Sequence, residues 1–283
     1  MRTIAQTRVR RGITLVAGAA VAALALSACA SGGGTNAGSG DPVKWELTAT
    51  TPAPSGDIDS ITWAAYAEPY SLDYAYAFDY ADNSVLANVC ESLLRLNPDL
   101  TLTPSLAESF ENPTPTTWVY NLRPGVTFHD GTPLTADDAV ASMSRILNPE
   151  VGSAWFSVYQ NVASIEKTGD MQVTVTTTIP DSQFNQGLGG SAGVIESAAT
   201  LPAPGADYGN SAGGVSRTGP VQFDSWKSGE SITLKKFDGY WDKELVAKSD
   251  EFKIVFMNDA TARINALKSG EVDGSWMVPL DAV

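Results

Sequence analysis

The stretch from Pro104 to Pro149 reads "PSLAESFENPTPTTWVYNLRPGVTFHDGTPLTADDAVASMSRILNP", and its second half carries the clearest structural signals of the chain. "TWVYNL" (117–122) and "VTFH" (126–129) are short runs of strand-forming residues on either side of "RPG". That pattern predicts a hairpin turning at Pro124-Gly125. "TADDAVASMSRILNPE" (135–150) predicts a helix. Thr135 is the N-cap and Asp138 stands three residues on as its reciprocal partner, while Asp137 and Asp138 favour the positive end of the helix dipole. Ala139, Val140, Met143, Ile146 and Leu147 form one apolar stripe, and Pro149 ends the helix.

The same stretch holds His129, the only histidine, close to Asp130, Asp137 and Asp138. Such a cluster has the composition of a catalytic or metal site, but local geometry accounts for each member. Asp130-Gly131 makes a tight turn, Pro133 keeps the preceding residue extended, and the remaining aspartates start the helix. His129 is expected to hydrogen-bond locally at a strand end. A soft metal site needs three or four ligands, and there is no second histidine or spare thiol to supply them, so no metal and no cofactor is expected.

Outward from this stretch, strand-like and helix-like segments alternate, as in an α/β or α+β body. "ITWAAYAE" (61–68) predicts a first strand. "DNSVLANVCESLLRL" (82–96) predicts a helix capped by Asp or Asn, with Val85, Leu86, Val89 and Leu93 on one face. "MQVTVTTTI", "VQFDSW", "ITLKKF" and "FKIVF" predict further strands, and "NDATARINALKSGEVD" predicts a capped helix stopped by Gly270. "GLGGSAG" (187–193) lacks the Lys-Ser/Thr pair of a phosphate loop.

The chain opens with Arg2, Arg8, Arg10 and Arg11, then an apolar run from Ile13 to Leu26, then "LSAC" ending at Cys29. This is the layout of a secretion signal over residues 1–28, too short for a stable membrane span. The small residues ahead of Cys29 predict acylation of its thiol. The glycine- and serine-rich segment 29–55 is a flexible tether with a reach of roughly 25–30 Å. Net charge is −14, and losing the four arginines of the signal takes it to −18. So acidic a chain is not a nucleic-acid binder. Cys90 has no partner once Cys29 is acylated and is expected to be a buried small hydrophobe.

The 104–149 stretch, together with "TGPVQFDSW" (218–226), "ITLKKFDGYWD" (232–242) and "INALKSGEVD" (264–273), resembles the extracellular solute-binding proteins of the oligopeptide, dipeptide and nickel importer family. The resemblance runs from Ile58 to Val283. It departs at "LDY" (72–74), where the family has Leu-Asp-Pro, and at Arg217, where the family has glycine. It implies an α/β fold: a lobe like that of the type II periplasmic binding proteins, formed by 56–84 and 181–278, with an α+β subdomain inserted at 85–180. Family members are longer, and 279–283 resembles the start of the crossover to a second lobe that this sequence lacks. A half cleft of that kind is expected to bind weakly by itself.

The resemblance further implies a lipid-anchored, extracytoplasmic subunit of an ABC importer, on the cell surface or in the periplasm, that delivers a peptide or other small solute to permease subunits. Carried over by motif, Phe78, Asp79 and Tyr80 fall at the cleft after "SLD", Trp155 after the "NPE" helix, and Trp276 and Met277 after "GEVD". From the residues alone, "DYAYAFDY" (73–80) places Tyr74, Tyr76, Phe78 and Tyr80 at period two, one aromatic face if the segment is extended. A surface adhesin or sensor on the same fold is the alternative. A hydrolase is disfavoured, because Asp137 and Asp138 are adjacent on a helix and no nucleophile elbow is present.

Overall fold

The computed structural model describes residues 55–201 and 208–278. The expected signal (1–28), Cys29, the tether up to Pro54 and the expected crossover (279–283) lie outside the described residues.

Two sheets share one hydrophobic core. The first contains β1 (Ile58–Ala65), β8 (Val221–Lys227), β9 (Ser231–Lys236), β10 (Ser249–Phe256) and β11 (Gly274–Ser275), in the order β11-β1-β10-β9-β8. β1 runs parallel to both β10 and β11, whereas β9 is antiparallel to β10 and to β8. Helix α5 (Ala260–Ser269) links β10 to β11, so β10–α5–β11 is a parallel crossover that steps over β1. Gly274 is needed where it stands, because a Cβ there would lie 2.1 Å from the Trp63 ring.

The second sheet is antiparallel, order β4-β5-β7-β6, from β4 (Ala107–Thr114), β5 (Thr117–Leu122), β6 (Val162–Gly169) and β7 (Gln172–Thr177). Helix α2 (Ala136–Leu147) packs on β6 and β7. It forms as its sequence dictates: Thr135 and Asp138 close the capping box, and Ala139, Met143 and Ile146 are buried. Asp138 also accepts from the Ala198 amide at 2.8 Å, and Asp137 pairs with Lys167 at 2.8 Å.

Two sequence expectations need correction here. Val126–His129 forms no strand; Thr127 makes an isolated bridge to Pro133, and β5 pairs instead with β4 and β7. Helix α1 covers Tyr80–Val89, not 82–96, and its N-cap is Asp79, in a capping box with Asp82. Beyond it the chain turns extended, because the Leu93 and Leu94 amides find the Gly193 and Leu188 carbonyls at 2.8 and 3.3 Å. β2 (Leu94–Leu96) then pairs with β3 (Leu102–Pro104). Cys90 is buried and free, and burial pushes its thiol up to about 11.

His129 bonds across the chain rather than locally. Its Nε2 lies 3.0 Å from the Gly219 carbonyl, its Nδ1 accepts from the Arg217 amide at 3.2 Å, and the ring packs edge-on to Phe237. Donation at one nitrogen and acceptance at the other fix a neutral ring.

Under the 71–80 segment lies a buried ionic knot. Arg145 grips Asp73 through two bonds of 2.7 and 2.6 Å, and Arg217 pairs with Glu196, both fully buried. The Tyr208 hydroxyl contacts Glu196 as well, and Arg217 donates to the Leu72 carbonyl at 3.1 Å. Burial pushes the Glu196 carboxyl up and the Asp73 charge adds to that, while the Arg145 charge opposes it. Among the described residues Leu100 and Met277 are the two non-glycines with positive φ, so Arg217 sits at its family-variant position without needing glycine's backbone freedom.

Candidate functional site

The carboxyl ends of β1, β10 and β11 lie side by side, since Ala65 is in register with Phe256 and Ala64 with Ser275. The chain leaves these ends through Tyr66, Met257 and Trp276. The Met257 amide donates to Ala65 at 2.8 Å and the Trp276 amide to Ala64 at 3.0 Å, which carries the ladder one step past each strand. In α/β sheets, ligands bind in the crevice outside such strand ends.

Above this edge stands an exposed aromatic crest. Tyr80, the first residue of α1, places its ring 5.7 Å from that of Trp276, tilted by 39°. Phe78 and Met277 flank the pair and are 74% and 59% exposed. An apolar surface left open in this way is where a partner or ligand can gain by covering it. Asp79 is engaged as the cap of α1, accepting from the Ala81 amide at 2.9 Å and from the Tyr66 hydroxyl. The bond with Tyr66 comes first in holding the Asp79 carboxyl below its ordinary range, and the same bond raises the Tyr66 hydroxyl to about 12.

Five of the six sequence-derived candidates, Phe78, Asp79, Tyr80, Trp276 and Met277, thus gather at these strand ends. Trp155 is placed by a different contact: its indole nitrogen donates to the Tyr74 carbonyl at 2.9 Å and its ring packs against the core. The continuous aromatic face of 74–80 does not form. The Asp73 carbonyl takes both the Tyr76 and Ala77 amides at 3.0 Å, so the segment turns, and Tyr74 sinks into the core while Phe78 and Tyr80 face outward.

Sequence reasoning missed Tyr66, which lies inside the strand expected at 61–68, the exposed Tyr70 just beyond it, and Arg263. Cavities of about 440, 770 and 320 Å³ are lined by other residues, so the crest is an open surface. Among the described residues, no group of three His, Cys, Asp or Glu is placed to hold a metal ion, and no helix is long and apolar enough to cross a membrane.

The mixed five-stranded sheet and its antiparallel companion have the fold of the type II periplasmic-binding-protein class. The family of bacterial extracellular solute-binding proteins, family 5 (middle region), matches residues 101–283, and the chain belongs to that family. The glutathione-binding protein GsiB of Pectobacterium atrosepticum is 28% identical over 212 residues, 75% of this chain and 40% of its own length. The chain therefore spans about 40% of the length of the curated relatives it matches. Among solved structures, the binding protein AgaA of A. tumefaciens R10, in complex with agropinic acid, superposes with a TM-score of 0.70 at 32% identity, covering 78% of this chain and 44% of AgaA. OppA of Burkholderia pseudomallei superposes with a TM-score of 0.71 at 20% identity, over 80% of this chain and 47% of its own, which shows shared fold alone.

Proposed function

We propose that this chain belongs to the lipid-anchored, extracytoplasmic substrate-binding subunit of an ABC importer, which captures a peptide or similar small solute and hands it to permease subunits. The observation that carries the proposal is the Tyr80–Trp276 pair, exposed at the carboxyl ends of parallel strands with Phe78 and Met277 beside it. Aromatic faces grip peptide side chains or rings by stacking and area burial, without bond chemistry. Membership of a solute-binding family, the glutathione in the name of one relative and the agropinic acid held by another support a small polar organic ligand.

In this reading Cys29 carries the lipid and 29–55 holds the body off the membrane. Residues 56–84 and 181–278 form the lobe that presents the crest, and 85–180 is an inserted subdomain. Strand membership supports that division, because the crest's sheet draws no strand from 85–180 and the antiparallel sheet draws all its strands from within it. The described residues supply one wall of the cleft. A ligand desolvated from one side only is held weakly, so modest affinity is expected of the 283 residues.

The test is a calorimetric titration of the purified protein with glutathione, a set of di- to pentapeptides and a nickel–histidine chelate, alongside Trp276→Ala and Tyr80→Ala. Saturable binding of a peptide-like solute, weakened about tenfold by either substitution, is expected; that is about 1.4 kcal/mol, the scale of one lost aromatic contact. Unchanged affinity in both variants would remove the crest from the site, and a preference for the chelate would displace peptides as the solute.

A further inference from the structure

Arg263, on the first turn of α5, is 5% exposed and bonds backbone carbonyls on two different loops. Its Nη1 donates to Met257 at 2.6 Å and Asn258 at 3.1 Å, both just past β10, and its Nη2 donates to Met277 at 3.3 Å, just past β11. Its Nε is buried with no partner. Burying a guanidinium costs desolvation that an apolar side chain would avoid. What the guanidinium alone supplies is a planar fork that spans two strand ends with β1 between them. The Met277 carbonyl it holds belongs to a residue at φ 54°, in the left-handed region that a non-glycine keeps only when its surroundings impose it.

We propose that Arg263 is a positioning residue for the aromatic crest: it pins the left-handed backbone at Met277, and so fixes where Trp276 stands against Tyr80. The assignment rests on the crest being the ligand surface. Arg263 faces the carbonyls from below and takes no part in contacting a solute. The crest is then preorganised by a tether from α5, so the solute need not order it on binding.

Hydrogen exchange by mass spectrometry, on the full chain, tests the proposal without requiring a ligand. Arg263→Met is compared with Arg263→Lys, each alone and combined with Met277→Gly. Loss of the fork is expected to speed exchange in the 274–278 peptide about tenfold while β8 and β9 are unchanged. Glycine at 277 adopts the left-handed conformation unaided, so the effect should shrink severalfold in that background. Lysine, with one ammonium in place of a fork, should restore only part of the protection. Should Arg263→Met fail to fold, Arg263→Lys carries the test. Faster exchange spread evenly over the chain, or an equal effect with Met277 and with glycine, would overturn the proposal, leaving Arg263 as general support for the fold. A parallel titration with glutathione separates the two readings. Local exchange changes with unaltered glutathione affinity would uphold the positioning role and count against the crest as the ligand surface.

Discussion

Tyr74 and Tyr80 lie six residues apart and carry the same side chain, yet one is 0% and the other 67% exposed. The Tyr74 hydroxyl donates to the Ser142 carbonyl at 2.8 Å, and the Arg145 and Arg217 guanidinium groups lie 5.5 and 5.8 Å from its ring centre. Tyr80 opens a helix, stacks on Trp276 and meets no buried charge. The difference teaches that period-two spacing does not decide the fate of these rings. The Asp73–Arg145 pair draws one half of the segment into the core, and the Asp79 cap turns the other half outward.

Arg145→Met breaks the comparison hardest. It strands the Asp73 carboxylate, 1% exposed, in the interior and is expected to cost about 3–5 kcal/mol in denaturant unfolding. Tyr80→Ala should stay within about 0.5 kcal/mol in the same experiment, since nothing buried loses a partner. Equal losses at the two positions would abolish the distinction between a structural and an available half.

A second, smaller effect separates the buried region from the crest by pH. Burial, with the nearby Arg217 charge, pushes the His129 ring down from 6.5 to about 4, and Nδ1 is already used to accept the Arg217 amide. The unfolded chain therefore takes its proton first as pH falls. Stability from this group is complete above about pH 6.5 and drains as pH drops toward 4, by up to about 3 kcal/mol. His129→Gln should flatten that part of the stability profile, and an unchanged acid limb would show that His129 is not its source. A smaller effect than that of His129 belongs to the cap beneath the crest. Asp79→Ala removes the α1 cap at about 1 kcal/mol and lets the Tyr66 hydroxyl fall from about 12 toward 10, visible as an earlier phenolate step in an absorbance titration.

How far these features were legible in the sequence follows from how local their causes are. α2 could be read to the residue, because its cap, its stripe and its terminating Asn-Pro are all contained within it. The end of α1 could not, because Leu93 keeps helical spacing and is buried as expected, while its amide is claimed by Gly193 a hundred residues on. β4 and β6 escaped because they are largely exposed and show little apolar alternation. The crest residues were reachable through motif resemblance, since the strands that bring residues 78–80 and 276–277 together are consecutive in space and not in sequence. Arg263 gave no signal; nothing in "NDATARINALKS" distinguishes a buried fork from a solvated arginine.

The two-residue β11 has a consequence for how copies of this protein tolerate one another. It covers β1 only at Trp63 and Ala64, and the neighbouring Thr62 amide is taken by the Asp273 carboxylate at 2.7 Å. Asp59 stands exposed at the far end of the same strand, beside Asp57, which pairs with Lys248 at 3.7 Å. A second molecule offering its own β1 to that border would meet carboxylates of the same sign, and like charge at an unpaired strand is an effective deterrent to stacking. Copies meeting edge to edge would then stay separate bodies, with β11 and the carboxylates together guarding that border.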